Sequence, residues 1–164
     1  MATPDRESII YFPFGGDEYK QCKGAQSQMD GLVTKTIDKI RATLEKQKEA
    51  SDLIIVAHGK ERHSPHREPK LYSEGGCFGV SKKTANDLVT KLRNGLGASF
   101  SSTKIGGVYL WICYSSSSGL GATFGEALRK ERLSVYATPL EIGGVGVWNA
   151  RQGTVGEDSF VLVQ

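Results

Sequence analysis

The chain has 164 residues, a hydrophobic content of 38%, a charged content of 24% and a formal net charge of +3. That length is sufficient to bury a core without disulfides or a structural metal, and the composition is that of an ordinary globular domain. The mild positive charge is spread along the chain rather than gathered into a nucleic-acid-binding stripe, no apolar run would cross a bilayer, and three cysteines at unrelated positions form no disulfide framework.

Residues Met1 to Glu7 lack the basic start and apolar centre of a signal peptide, so the expected compartment is the cytosol of the producing cell. Ser8-Ile9-Ile10-Tyr11-Phe12-Pro13-Phe14 reads as a first strand, ended by Pro13 and the pair Gly15-Gly16. From Gln26 to Lys48 the apolar positions Met29, Leu32, Val33, Ile37, Ile40 and Leu44 recur three and four apart, which predicts one amphipathic helix. Gly31 would weaken its first turn by roughly 1 kcal/mol relative to alanine. Leu53-Ile54-Ile55-Val56-Ala57 is then a buried strand running into His58-Gly59.

The polar, proline-containing stretch from Lys60 to Gly76 is expected to be a long mobile loop that closes over a ligand. Cys77 to Val80 reads as a short extended piece, and Ser81 as the N-cap of a second helix with stripe Thr84, Leu88, Val89 and Leu92, ended by Gly95 and Gly97. A flexible connection from Ser99 to Gly107 leads to the strand Val108-Tyr109-Leu110-Trp111-Ile112, which runs into Cys113. Beyond it Ser115 to Ser118 reads as a flexible loop, Leu120, Phe124 and Leu128 as a third helical stripe, and Ser134-Val135-Tyr136-Ala137 as a fourth strand. The glycine-rich tail, ending in Ser159 to Val163, suggests a hairpin or flap. No repeat or boundary divides the chain, so residues 1–164 are read as one domain. The alternation of strands and helices predicts an α/β fold, a three-layer sandwich around a mainly parallel sheet.

In such a sheet the carboxyl ends of the strands share one edge, where ligands bind. His58 and Cys113 both stand there. A thiol attacks a carbonyl as thiolate, so it needs an imidazole to take its proton and donors for the oxyanion. His58 supplies the imidazole, and the backbone amides of Gly59 and Cys113 are the candidate oxyanion donors. Adjacent or near-adjacent strand ends would place the pair roughly 5–10 Å apart. Other readings compete with this one. Cys77 is an alternative nucleophile, His58, His63 and His66 with Cys77 fit no standard zinc spacing, and the serine run lacks the ending of a nucleotide loop. Lys82 and Lys83 at a helix start would mark either an anion site or a solvated face.

An apolar run ending in His-Gly, followed about fifty residues later by an apolar run ending in Cys, resembles the caspase-like (clan CD) cysteine peptidases. The order of Ile9-Ile10-Tyr11, Ile54 to Lys60, Asn86 to Leu92, Ile112-Cys113-Tyr114-Ser115, Gly125 to Leu128, Ser134 to Thr138 and Leu140-Glu141 is most similar to the autoprocessing cysteine protease domains of large bacterial toxins. The resemblance implies a caspase-like fold and a cysteine endopeptidase with Cys113 as nucleophile and His58 as its base, acting on a protein or peptide substrate as a toxin processing domain or an effector delivered into another cell. It implies no metal and no required cofactor, and it brings in inositol hexakisphosphate as an activator. The region after Leu140, where the family's flap helps to bind that phosphate, has Arg151 as its one basic residue. The sequence identifies no third acidic residue and no oligomeric state. The rival functions are a non-catalytic adhesin or recognition module on the same scaffold and a phosphate-ligand sensor using Lys60, Arg62, Lys82 and Lys83.

Overall fold

The computed structural model describes residues 8–26, 31–61, 67–73, 81–142 and 160–164. In chain order the elements are β1 (Ser8–Tyr11), α1 (Asp17–Gly24), β2 (Gly31–Thr34), α2 (Ile37–Lys46), β3 (Ser51–Val56), β4 (Lys70–Tyr72), β5 (Lys82–Thr84), α3 (Ala85–Leu96), β6 (Ile105–Trp111), α4 (Leu120–Ala127), β7 (Val135–Ala137) and β8 (Val161–Leu162). The central sheet has the order β2-β1-β3-β6-β7-β8, with every pairing parallel except the antiparallel β7–β8 edge. Strands β4 and β5 form a separate antiparallel pair.

The strands are apolar on both sides because both faces of the sheet are covered. On one face Leu88, Leu92 and Phe124 pack with Leu53, Ile55 and Leu110; on the other, Cys22 of α1 and Phe160 pack with Ile10, Ile54 and Trp111. This segregation follows from right-handed crossovers. The chain steps outward from β1 to β2 through α1, then reverses past β1 to β3 and continues through α2, α3 and α4 on the opposite face. The predicted three-layer α/β arrangement with a mainly parallel sheet is therefore present. The reversal leaves a crevice at the carboxyl ends of β1 and β3, the position at which doubly wound sheets bind ligands. No helix among the described residues is long and apolar enough to cross a membrane.

Several local expectations are corrected. The single helix from Gln26 to Lys48 is instead strand β2 followed by the shorter α2, with residues 27–30 outside the described part. Gly31 adopts φ 122°, a conformation that side chains oppose, and Leu32 and Val33 pair with Ile9 and Ile10. The apparent stripe belonged to two elements whose apolar residues happen to be in step. Thr84 rather than Ser81 caps α3, accepting the amide of Asp87 at 3.1 Å. Gly95 lies inside α3 because a Cβ there would come within 2.5 Å of Ile37 Cγ2. The expected mobile loop contains the ordered strand β4, and the connection after Ser99 is already strand at Ile105. The expected Cys77–Val80 piece and most of the glycine-rich tail lie outside the described residues.

One ion pair ties the helical layer together. Arg93 of α3 donates to Glu131 through Nε at 2.9 Å and Nη2 at 2.5 Å, and Nη2 also reaches the Ala127 carbonyl at 2.9 Å. Glu131 is 6% exposed and Arg93 34%, and the guanidinium hydrogen bonds hold the Glu131 carboxyl below its ordinary value of 4.5. Removing one partner of such a pair strands the other charge, so Glu131→Gln should lower stability by about 2 kcal/mol, discounted for the arginine's exposure. Because the folded pKa is depressed, this contribution is complete above the ordinary value and lost as pH falls through the folded one. Urea unfolding of both proteins across the acid range checks it: the gap should be widest near neutrality and close in acid.

Candidate active site

Strands β3 and β6 are neighbours, with Val56 opposite Trp111 and the Ala57 amide donating to the Trp111 carbonyl at 3.5 Å. Continued by two residues, that register brings His58 and Cys113 to the same edge on adjacent chains. Gly59 makes the approach close. A Cβ at Gly59 would lie 2.1 Å from the Cys113 carbonyl oxygen and 2.6 Å from Ile112 Cγ2, so only glycine fits without displacing backbone.

The His58 backbone is fixed from its other side by β4. Its amide donates to the Tyr72 carbonyl at 2.9 Å and its carbonyl accepts the Tyr72 amide at 2.8 Å. The imidazole meets a carboxylate, with Nε2 2.6 Å from Glu18 Oε1. Both side chains are mostly buried, 29% and 23% exposed. Glu18 arrives from the first turn of α1, and Gly15 and Gly16, with φ of 72° and 94°, turn the chain from β1 into that helix. This carboxylate is the candidate site residue that the sequence did not reveal. An acid directly after a strand, two positively turned glycines and a helix start was the available signal.

Cys113 begins a tight turn. The next residue, Tyr114, has φ 57°, and its amide donates to the Leu140 carbonyl at 2.9 Å. Ser115 is fully buried; its hydroxyl donates to the Leu110 carbonyl at 3.2 Å and accepts the Thr138 amide at 3.0 Å, while the Ser116 amide donates to the Thr138 carbonyl at 2.8 Å. The serine run is thus a pinned turn and not the flexible loop expected from its composition.

The thiol itself is held by Ile142. Sγ donates to the Ile142 carbonyl at 2.8 Å and accepts the Ile142 amide at 3.1 Å. Burial pushes the thiol pKa above its ordinary value of 9.0; the Ile142 amide opposes this, the Glu141 carboxylate adds to it, and the amides of Cys113 and Gly59 favour the thiolate. The structure therefore brings the two predicted strand ends together and turns both predicted amides toward the sulfur. It does not join thiol and imidazole: the sulfur is held by backbone groups, Ile142 first among them, and the imidazole meets the Glu18 carboxylate.

No family model, curated protein or solved structure matches this chain.

The remaining sequence candidates fall into two groups. Cys77, His63, His66, Arg62 and Arg151 lie outside the described residues. Cys22 is buried among the core side chains under α1, and its thiol is pushed up to about 11 by burial and the Glu18 carboxylate. Lys82 and Lys83 lie in β5, directly before the Thr84 cap at the start of α3. Among the described residues no group of three or more acidic, histidine or cysteine side chains is placed to hold a metal ion.

The raised thiol pKa has a direct consequence. In the resting protein, alkylation of Cys113 by iodoacetamide should be slow at neutral pH and rise with pH through an inflection above 9.0, since the thiolate is the reacting form. Rates read by peptide mass mapping across the alkaline range check this. An inflection well below that value would mean that the thiol is already ionised.

Proposed function

We propose that the chain is a cysteine endopeptidase of caspase-like architecture, with Cys113 as nucleophile, His58 as the proton carrier and Glu18 as the group that positions it. The observation that carries this reading is the Glu18–His58 pair at the end of β3, one strand away from a cysteine whose sulfur has the backbone amides of Gly59 and Cys113 beside it. An acid, an imidazole and a thiol in succession across one sheet edge form the relay that thiol acyl transfer requires. Structural histidines and cysteines lack a reason to share it.

The reaction begins when a peptide displaces Ile142 from the sulfur. The thiol proton passes to His58, whose positive charge the Glu18 carboxylate stabilises. The sulfur then bonds to the scissile carbonyl carbon, and the oxygen that becomes negative receives the amides of Gly59 and Cys113. His58 returns the proton to the amide nitrogen as the C–N bond breaks, the amine departs, and a thioester to Cys113 is left. Water attacks the thioester with its proton taken by His58, and the carboxylic product leaves as the thiol is restored. These steps need no metal or cofactor. The resemblance to toxin processing domains supports a role as an effector or processing enzyme.

Two substitutions test the assignments. Cys113→Ala should give a folded protein that no longer hydrolyses a peptide library, because alanine fits the turn but forms no thioester; retained hydrolysis would remove the nucleophile. Glu18→Gln should lower kcat on the order of 10²-fold with KM nearly unchanged, and Glu18→Asp should restore part of the loss, as expected for a carboxylate that orients and charges an imidazole. A change confined to KM would show that Glu18 binds substrate instead.

A further inference from the structure

A serine two residues beyond the candidate nucleophile splits the sheet. Strand β6 keeps its parallel register with β3 as far as Trp111, but with β7 it stops at Tyr109 opposite Tyr136. The Val108 amide donates to the Ser134 carbonyl, and that pattern, continued along both strands, would send the Thr138 amide to the Leu110 carbonyl. The Ser115 hydroxyl stands in that place instead. It donates to the Leu110 carbonyl at 3.2 Å and accepts the Thr138 amide at 3.0 Å. A direct rung measures about 2.9 Å, so the inserted oxygen holds the two strands apart at this point.

Leu110, Ser115 and Thr138 are all fully buried, so removing the hydroxyl would leave a donor and an acceptor in the seam without a partner and away from water. Tyr114, with φ 57°, turns the chain back toward the seam. The Ser115 backbone is fastened on both sides, its amide to the Ile112 carbonyl at 3.1 Å and its carbonyl to the Gly121 amide at 2.7 Å. Diverted from β6, the chain after β7 runs along the Cys113 turn. The Ser116 amide meets the Thr138 carbonyl at 2.8 Å, the Leu140 amide meets the Thr138 hydroxyl at 3.1 Å, the Tyr114 amide meets the Leu140 carbonyl at 2.9 Å, and Ile142 reaches the sulfur.

We infer that Ser115 is a positioning residue for the Cys113 thiol: its hydroxyl, standing between β6 and β7, diverts the chain at Thr138 and lays the segment ending at Ile142 against the sulfur. The catalytic use of this placement rests on the peptidase reading, while the placement itself is read without turnover. With the hydroxyl gone, the shortest repair is the direct rung from Thr138 to Leu110, which draws Thr138 toward β6 and slides Ile142 off the sulfur. The thiol then loses cover, and burial is the largest effect on its pKa. Loss of the Ile142 amide acts the other way but is smaller, and the Glu141 carboxylate, which also raises the thiol, moves off with the same segment. Glu61, which acts on Tyr114, and the Glu18–His58 pair lie outside that segment.

The test is iodoacetamide labelling of Cys113 in Ser115→Ala across the alkaline range, read by peptide mass mapping with the buried Cys22 as internal reference. The inflection should fall toward 9.0 and the rate at about pH 8 should rise about tenfold, while Cys22 stays slow. Glu131→Gln, which weakens the helical layer without touching the seam, should leave the Cys113 inflection where it is in the native protein. An unchanged inflection in Ser115→Ala would overturn the inference. So would Cys22 accelerating as much as Cys113, which would make Ser115 an ordinary core residue. Should Ser115→Ala fail to fold, Ser115→Thr and Ser115→Val, nearly equal in size and differing in the hydroxyl, take its place: the inflection should stay native in the first and fall in the second, and equal inflections would overturn the inference. A shifted inflection in a protein that cleaves no peptide would keep the placement and count against the peptidase reading alone.

Discussion

The contact between the backbones of Gly59 and Cys113 governs the geometry of the whole edge. Two parallel strands normally keep about 4.8 Å between their chains, and here the approach continues past the last ladder bond, until a Cβ on Gly59 would fall 2.1 Å from the Cys113 oxygen. Both chains enter the contact from buried strands, β3 ending at Val56 and β6 at Trp111, so each is fixed on that side. His58 and Cys113 are held in register by this contact, and the amides of Gly59 and Cys113 are turned toward the sulfur by the same packing. Gly59 thus matters for the side chain it lacks as well as for the donor it offers.

The resting arrangement favours the protonated thiol. Ile142 engages the sulfur through both backbone polar groups, and burial with Glu141 nearby outweighs the amides that would stabilise a thiolate. His58 meanwhile is turned to Glu18. The parts of the proposed relay lie along one edge, with Ile142 on the sulfur. Catalytic hydrogen bonds commonly close only with substrate bound, and the contact that the proposed reaction would open is a backbone one on a segment otherwise pinned to the Cys113 turn through Thr138 and Leu140.

Much of this edge was legible in the sequence. The apolar runs ending at His58 and Cys113 are continuous because strands buried on both faces have no polar side, and that feature survives any uncertainty in neighbouring elements. The helix stripes of α3 and α4 were legible for the complementary reason, with Leu88, Val89, Leu92, Leu120, Phe124 and Leu128 buried on one face. Short elements were not. Helix α1 carries few apolar residues, so its periodicity is faint, and Glu18 went unseen with it. Strand β2 was absorbed into α2 because three apolar residues before Ile37 continued a helical spacing, although Gly31 needed a backbone that no helix provides. The serines of the Cys113 turn look like a flexible run because the buried Ser115 hydroxyl finds its partners 5 and 23 residues away. Long-range pairing of that sort leaves no local trace.

The central claim is that the Cys113 sulfur carries the acyl half of a cleaved peptide. Its most direct test is intact-protein mass spectrometry of acid-quenched reactions with a peptide ester or amide that the protein cleaves, followed by peptide mapping. The account predicts a transient mass increase equal to the acyl fragment, located on Cys113, labile to hydroxylamine as thioesters are, and missing from Cys113→Ala. Cleavage that proceeds with no acyl adduct on Cys113, or with the adduct on another residue, would contradict it.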